Sequence, residues 1–225
     1  MTDKLLDKLQ SKNPVPILAF YFAVGAAGLI IPASRGWFIR AVPFTLLVSL
    51  ALLFLYHGKI SSRTWWTGLL IFVLGLLIEM TGVATGLIFG DYQYGDTLGL
   101  KLFHTPLMIG VNWLILVYCS TVIAGRFVEP LYFRSIVAGS MMVVYDFALE
   151  PAAIRLDMWR WTGNAVPLQN YLAWFVIATV LSYLAARFRL PNPNNKMSGP
   201  IYFIQLTFFI TLDIWIVAER IWGSL

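Results

Sequence analysis

The sequence predicts an all-α helical bundle that crosses a bilayer about seven times, with its N-terminus inside. Three observations predict it. Hydrophobic residues make up 59% of the 225 and charged ones only 12%, against about 25% charged in an ordinary soluble domain. A soluble chain of this length could not hide so much apolar surface, because surface-to-volume scaling limits its core. Uncharged runs recur along the chain, and about 20 apolar residues suffice to cross a hydrocarbon core. Lys and Arg stand in ones and twos between those runs, as membrane loops require. The net charge of +5 forms no basic stripe for a phosphate backbone to follow, so the expected surrounding is lipid and not nucleic acid.

One transmembrane domain over residues 1–225 is expected, with neither repeat nor linker. Residues 1–13 read as an interfacial helix, with Leu5, Leu6 and Leu9 on one face and Lys4, Lys8 and Lys12 opposite. Such a segment lies on an anionic leaflet. No signal peptide is expected, since nothing like a cleavage site follows the first apolar run. Uncharged length then places spans at Pro14–Ser34, Ala41–Tyr56, Trp65 to about Phe89, Leu102–Gly125, Ser135–Glu150, Pro167–Ala186 and Ile201–Trp222. Glu79 interrupts the third, His104 opens the fourth, and Pro151 is expected to end the fifth. Pro191 to Lys196 reads as a polar turn. The single Cys119 lies inside an apolar run, which offers neither a disulfide framework nor a thiolate metal site.

Counting Lys and Arg sets the orientation. Of the 16, only Arg35, Arg40, Lys101, Arg155, Arg160 and Arg220 fall outside when the N-terminus is inside. The acids are skewed the other way. Glu79, Asp91, Asp96, Asp146, Glu150, Asp157, Asp213 and Glu219 gather in the outer half, out of 11 Asp and Glu in all. That half is where chemistry is expected.

Asp146 and Glu150 are four apart, so both carboxyls project from one helix face, one turn from each other. Two like charges so close in low dielectric should not both stay ionised, and one is expected to hold a proton. A carboxylic acid kept neutral in an apolar site suits proton transfer to a hydrocarbon. The plainer account is interhelical hydrogen bonding. Glu79 lies in a stripe with Gly75, Gly82 and Gly86, which admits either a closely packed helix or a flat ligand. Asp91, Tyr92 and Tyr94 follow in a Gly-rich connection that reads as an ordered loop folded back over the bundle. An interfacial aromatic belt would account for the tyrosines, and equally for Trp159 and Trp161. Asn170 could cap the sixth helix or hold a water. His104 and Asn112 enter the fourth helix from the same side, His104 as a packing residue or a proton carrier. Asp213 and Arg220, seven apart, suggest a structural ion pair.

Taken in order, Glu79 to Gly82, Thr85-Gly86…Phe89-Gly90…Tyr92…Tyr94, Asn112-Trp113, Asp146…Glu150-Pro151 and Trp159-Arg160-Trp161…Pro167…Asn170…Trp174 carry a resemblance. The set is similar to the membrane carotenoid hydratase family, which includes γ-carotene 1′,2′-hydratases and bisanhydrobacterioruberin hydratases. It covers about residues 75 to 175. The family pattern has Asp-Pro where this chain has Glu150-Pro151, and Gly near Asp157.

The resemblance implies cofactor-independent addition of water, with no metal, to the terminal C1=C2 double bond of an acyclic (ψ) carotenoid end. Lycopene, γ-carotene or a related carotenoid would be the substrate, in the plasma membrane of a prokaryote and in association with other carotenoid enzymes. Asp146 or Glu150 would protonate C2. Glu79, Asp91 and the faces of Trp113, Trp159 and Trp161 would stabilise the cation at C1. Asn112, Asn170 or a second carboxylate would hold the attacking water, with Tyr92, Tyr94 and His104 around the substrate.

Other classes stand beside this one. A carotenoid cyclase would use the same protonation in a dry pocket. A transporter or binding protein would also place carboxylates in the membrane, although no pseudo-symmetric second half is evident. A retinal photoreceptor needs a transmembrane lysine, and none of these runs contains one. No metal-ligand spacing and no phosphate-cradling Gly-rich turn are present.

Overall fold

The computed structural model describes residues 10–163 and 165–222. Residues 1–9 of the interfacial segment expected at residues 1–13 therefore lie outside the described residues. Among the described residues seven helices form the body: α1 Val15–Ile30, α2 Pro32–Leu55, α3 Ser62–Thr85, α4 Leu107–Ala124, α5 Leu131–Arg155, α6 Leu168–Arg187 and α7 Ser198–Trp222. Two small ribbons join them. β1 Tyr92–Tyr94 pairs antiparallel with β4 Trp159–Trp161, and β2 Lys101–Leu102 pairs with β3 Thr105–Pro106. Among the described residues, α2 through α7 are each long and apolar enough to cross a membrane. The chain is a multi-pass membrane protein. α1 has 16 residues, so it spans about 24 Å and falls short of a hydrocarbon core about 30 Å thick.

α4 is the axis of the bundle. Every residue from Ile109 to Ala124 is buried, which explains a helix that is apolar all round. α3, α5, α6 and α7 pack around it, while α1 and α2 form a hairpin against α7 and α4. α2 buries only Ser49 and Leu53 and presents Trp37, Phe44 and Leu47 outward, as a lipid-facing helix should.

Several helix bounds differ from those that uncharged length predicts, each for a local reason. α2 begins at Pro32, not Ala41, because Arg35 and Arg40 are accommodated within the helix. Arg35 donates to the carbonyls of Leu29 (2.9 Å) and Ile30 (3.1 Å) at the end of α1, satisfying acceptors a helix terminus leaves open. Arg40 lies over the Trp37 ring. α4 begins at Leu107, not Leu102, because residues 101–106 form the β2–β3 hairpin. Phe103 and His104 occupy positive φ at its turn. Pro151 does not end α5, which continues to Arg155. A proline one turn from a helix end forfeits a single hydrogen bond without ending the helix.

At the end of the bundle remote from the ribbons, three segments are fastened by one hydroxyl. Tyr118 Oη on α4 accepts from Asn192 N–H (3.0 Å) and Asn195 Nδ2 (3.1 Å) and shares a 2.6 Å hydrogen bond with His57 Nδ1. Asn195 also reaches the carbonyl of Leu53 in α2 (2.8 Å). The polar turn at Pro191–Lys196 is thus an anchor as well as a connection. Tyr118→Phe leaves these buried donors unmet and should cost about 2–3 kcal/mol of stability. Unfolding in detergent measures the loss.

Candidate active site

The site is built where α3 and α5 end, α4 and α6 begin, and the β1–β4 ribbon lies across them. Period-two alternation decides what the ribbon offers. Tyr92 faces Trp161 and Tyr94 faces Trp159 across the register, with Gln93 and Arg160 turned to the exposed side. Four aromatic side chains therefore point into the bundle, and each ends in a hydrogen-bond donor.

Those donors are shared between two carboxylates. Glu79 Oε2 accepts from Tyr92 Oη at 2.6 Å and Tyr94 Oη at 2.8 Å, and Oε1 from Trp113 Nε1 at 2.9 Å. Glu150 Oε2 accepts from both Trp159 Nε1 and Trp161 Nε1 at 3.0 Å. Asp146 has less. Asn170 Nδ2 donates to its Oδ2 at 2.7 Å, whereas Oδ1 is buried without a hydrogen-bond partner. All three acids are at most 3% exposed. The two tyrosines stay protonated donors, because burial first and the Glu79 charge second raise their phenols.

Glycines allow the close fit. A Cβ on Gly75 would sit 2.7 Å from Cβ of Trp113, so only glycine lets that indole reach Glu79. Gly86 caps α3 in the left-handed region at φ 67°, which turns the chain back toward the ribbon. Phe89 packs over Gly82, and Trp174 stacks on Trp113 with centroids 4.3 Å apart.

Asp146, Glu150, Glu79, Tyr92, Tyr94, Asn112, Trp113, Trp159, Trp161 and Asn170 all line one small cavity of about 20 Å³, enough for about one water molecule. Two predicted residues lie elsewhere. Asp91 is exposed, and its backbone carbonyl accepts from Thr162 N–H at 3.0 Å. His104 is exposed at the β2–β3 turn. Asn170 does not cap α6, whose N-cap is Pro167; its side chain holds Asp146. Among the described residues, Asp213 and Arg220 form no ion pair. Arg155 meets Glu219 at 2.9 Å instead.

A second cavity, about 170 Å³, adjoins the first. Ile109, Asn112, Leu149 and Trp159 line both. The larger one runs between α1, α2, α5 and α7, past Phe22, Phe38, Leu46, Phe208 and Phe209. Its few polar groups include Tyr145, which donates to Gln205 Oε1, and Gln205, which donates to Ser49 Oγ. Beyond Asn112 and Trp159, sequence reasoning missed this lining, because most of its other residues come from helices with no distinguishing motif.

Comparison with known proteins places the chain in a family. No solved structure matches the chain. A curated protein of the archaeon Haloarcula japonica, named bisanhydrobacterioruberin hydratase, is 31% identical over 116 residues, covering 46% of this chain and 38% of that protein. The match thus spans well under half the relative's length. A family model described as carotenoid biosynthesis protein matches residues 39–223, from the middle of α2 to the end of α7. The chain belongs to the carotenoid biosynthesis protein family.

Proposed function

We propose that this protein hydrates the terminal C1=C2 double bond of an acyclic carotenoid end, giving a tertiary alcohol. The observation that carries the reading is that the two cavities adjoin, with four lining residues in common. An apolar space of about 170 Å³ abuts, across Ile109, Asn112, Leu149 and Trp159, a pocket of about 20 Å³ walled by three carboxylates. A hydrocarbon end lying in the first would carry its terminal alkene to the second. The name of the Haloarcula relative supports the same reaction class.

Hydrogen-bond supply divides the roles among the acids. An ionised carboxylate only accepts, and a protonated one must also donate. Glu79 with three donors and Glu150 with two are provisioned as anions. Asp146, with one donor and a free Oδ1, is provisioned as the acid. Its proton passes to C2, and the π electrons that form the new C–H bond leave a tertiary cation at C1. The Glu79 and Glu150 charges and the indole faces of Trp113 and Trp159 stabilise that cation. A water oxygen adds to C1, and the proton it sheds returns to the Asp146 carboxylate. Asn112, lining both cavities, is placed to orient that water. Room for about one water beside the acids favours hydration over cyclisation, which needs a dry pocket.

The test is pigment analysis in a lycopene- or γ-carotene-producing host expressing this chain. A product heavier by one water is expected by chromatography and mass. A product of unchanged mass and altered retention would replace the hydratase by a cyclase.

A further inference from the structure

A hydratase must bring water to a centre that its own fold encloses, and the apolar cavity is the wrong road for it. Resting on the hydratase reading above, we propose that the polar depression on the outer face of the β1–β4 ribbon is the port for the reacting water. The seam between Tyr94 and Trp161 is its inner wall.

The depression has a volume of about 400 Å³, and Gln93, Asp96, Asp157 and Arg160 line it. Its charges are held in ion pairs, Arg160 to Asp157 at 2.8 Å and Lys101 to Asp96 at 2.7 Å. Such a charged rim faces water and not hydrocarbon. Tyr94 and Trp161 line this depression and also the carboxylate cavity, so the two spaces are back to back across the ribbon.

The register shows where the ribbon is weakest. Tyr94 is paired with Trp159 and Trp161 with Tyr92, which leaves Tyr94 and Trp161 diagonal to one another. Ring contacts join Tyr92 to Trp161 at 5.0 Å and Tyr94 to Trp159 at 6.0 Å, with Tyr92 edge-on to Tyr94 at 5.4 Å. Among the described residues no ring contact joins Tyr94 to Trp161. Water entering between them meets polar groups at once, since Tyr94 Oη donates to Glu79 and Trp161 Nε1 to Glu150. The small inner cavity then admits about one molecule. Hydrocarbon thus enters from the lipid side and water from the opposite side, and the two meet at Asp146.

A removable plug tests this. Cys119 is fully buried, so Gln93→Cys places the accessible thiol on the exposed face of the ribbon. It is modified in membranes with a bulky sulfonated methanethiosulfonate, and hydration is measured before labelling, after labelling and after reduction. The expected result is a kcat lowered at least tenfold, a KM for the carotenoid within twofold, and recovery when the label is reduced off. An unchanged rate overturns the port. So does a loss in which KM rises in step or which reduction does not reverse, because the label would then act on the substrate site or on the ribbon's fold. Absence of hydration before labelling would count against the hydratase reading itself, and the two failures are thereby told apart.

Discussion

Asp146→Asn is expected to fold, to retain carotenoid and to form alcohol about 10²–10⁴-fold more slowly, the usual worth of a positioned general acid. The substitution is nearly isosteric. An amide oxygen at the Oδ2 position still accepts the 2.7 Å hydrogen bond from Asn170, and the new NH₂ falls where Oδ1 has no partner. Little packing is therefore at risk, yet the amide has no proton acid enough to reach an alkene carbon. Membranes carrying the variant should co-purify with unconverted carotenoid, measured by its absorption, while the hydrated product disappears from the chromatogram. Turnover at the parent rate would remove Asp146 from the mechanism and shift the donor to Glu150, one helical turn away.

How much of this centre could be read from sequence depended on the range of the signal. Asp146 and Glu150 were legible because four residues on a helix is a local relation, and both are buried on one face as that spacing requires. Glu79 stood out because a lone carboxylate in an apolar run demands a partner. The alternation in Tyr92-Gln93-Tyr94 and Trp159-Arg160-Trp161 is equally local. What it lacks is any mark that the two triplets pair, since the register joining them spans α4 and α5. Without the pairing, the aromatics read as an interfacial belt and not as four donors aimed at two acids. Asp91 and His104 have the residue types of a site but sit at a ribbon edge and a hairpin turn, and residue type carries no information on burial. The apolar cavity was illegible for the opposite reason. Phe38, Leu46 and Phe208 look like any lipid-facing residues until α1, α2 and α7 are assembled around them.

Glu79→Gln separates charge from architecture, and its expected effect is nearly as large. A glutamine can turn its Oε1 toward Trp113 Nε1, which only donates, and its NH₂ toward the hydroxyls of Tyr92 and Tyr94, which can accept. All three contacts now made at 2.6–2.9 Å then persist with the two tyrosine contacts reversed in polarity, and the ribbon stays anchored to α3. What is lost is the negative charge that the proposed mechanism sets beside the carbon that becomes cationic. Removing a preorganised electrostatic partner of this kind typically costs about 10²–10³ in kcat. Stability should fall by no more than about 1–2 kcal/mol, since neutral hydrogen bonds replace charge-assisted ones. The measurement pairs hydration kinetics with unfolding in detergent. A drop in kcat at nearly constant stability and KM places Glu79 at the cation. Equal loss of stability and activity would reduce it to the ribbon's anchor, and cation stabilisation would then fall to Glu150 and the indoles around it.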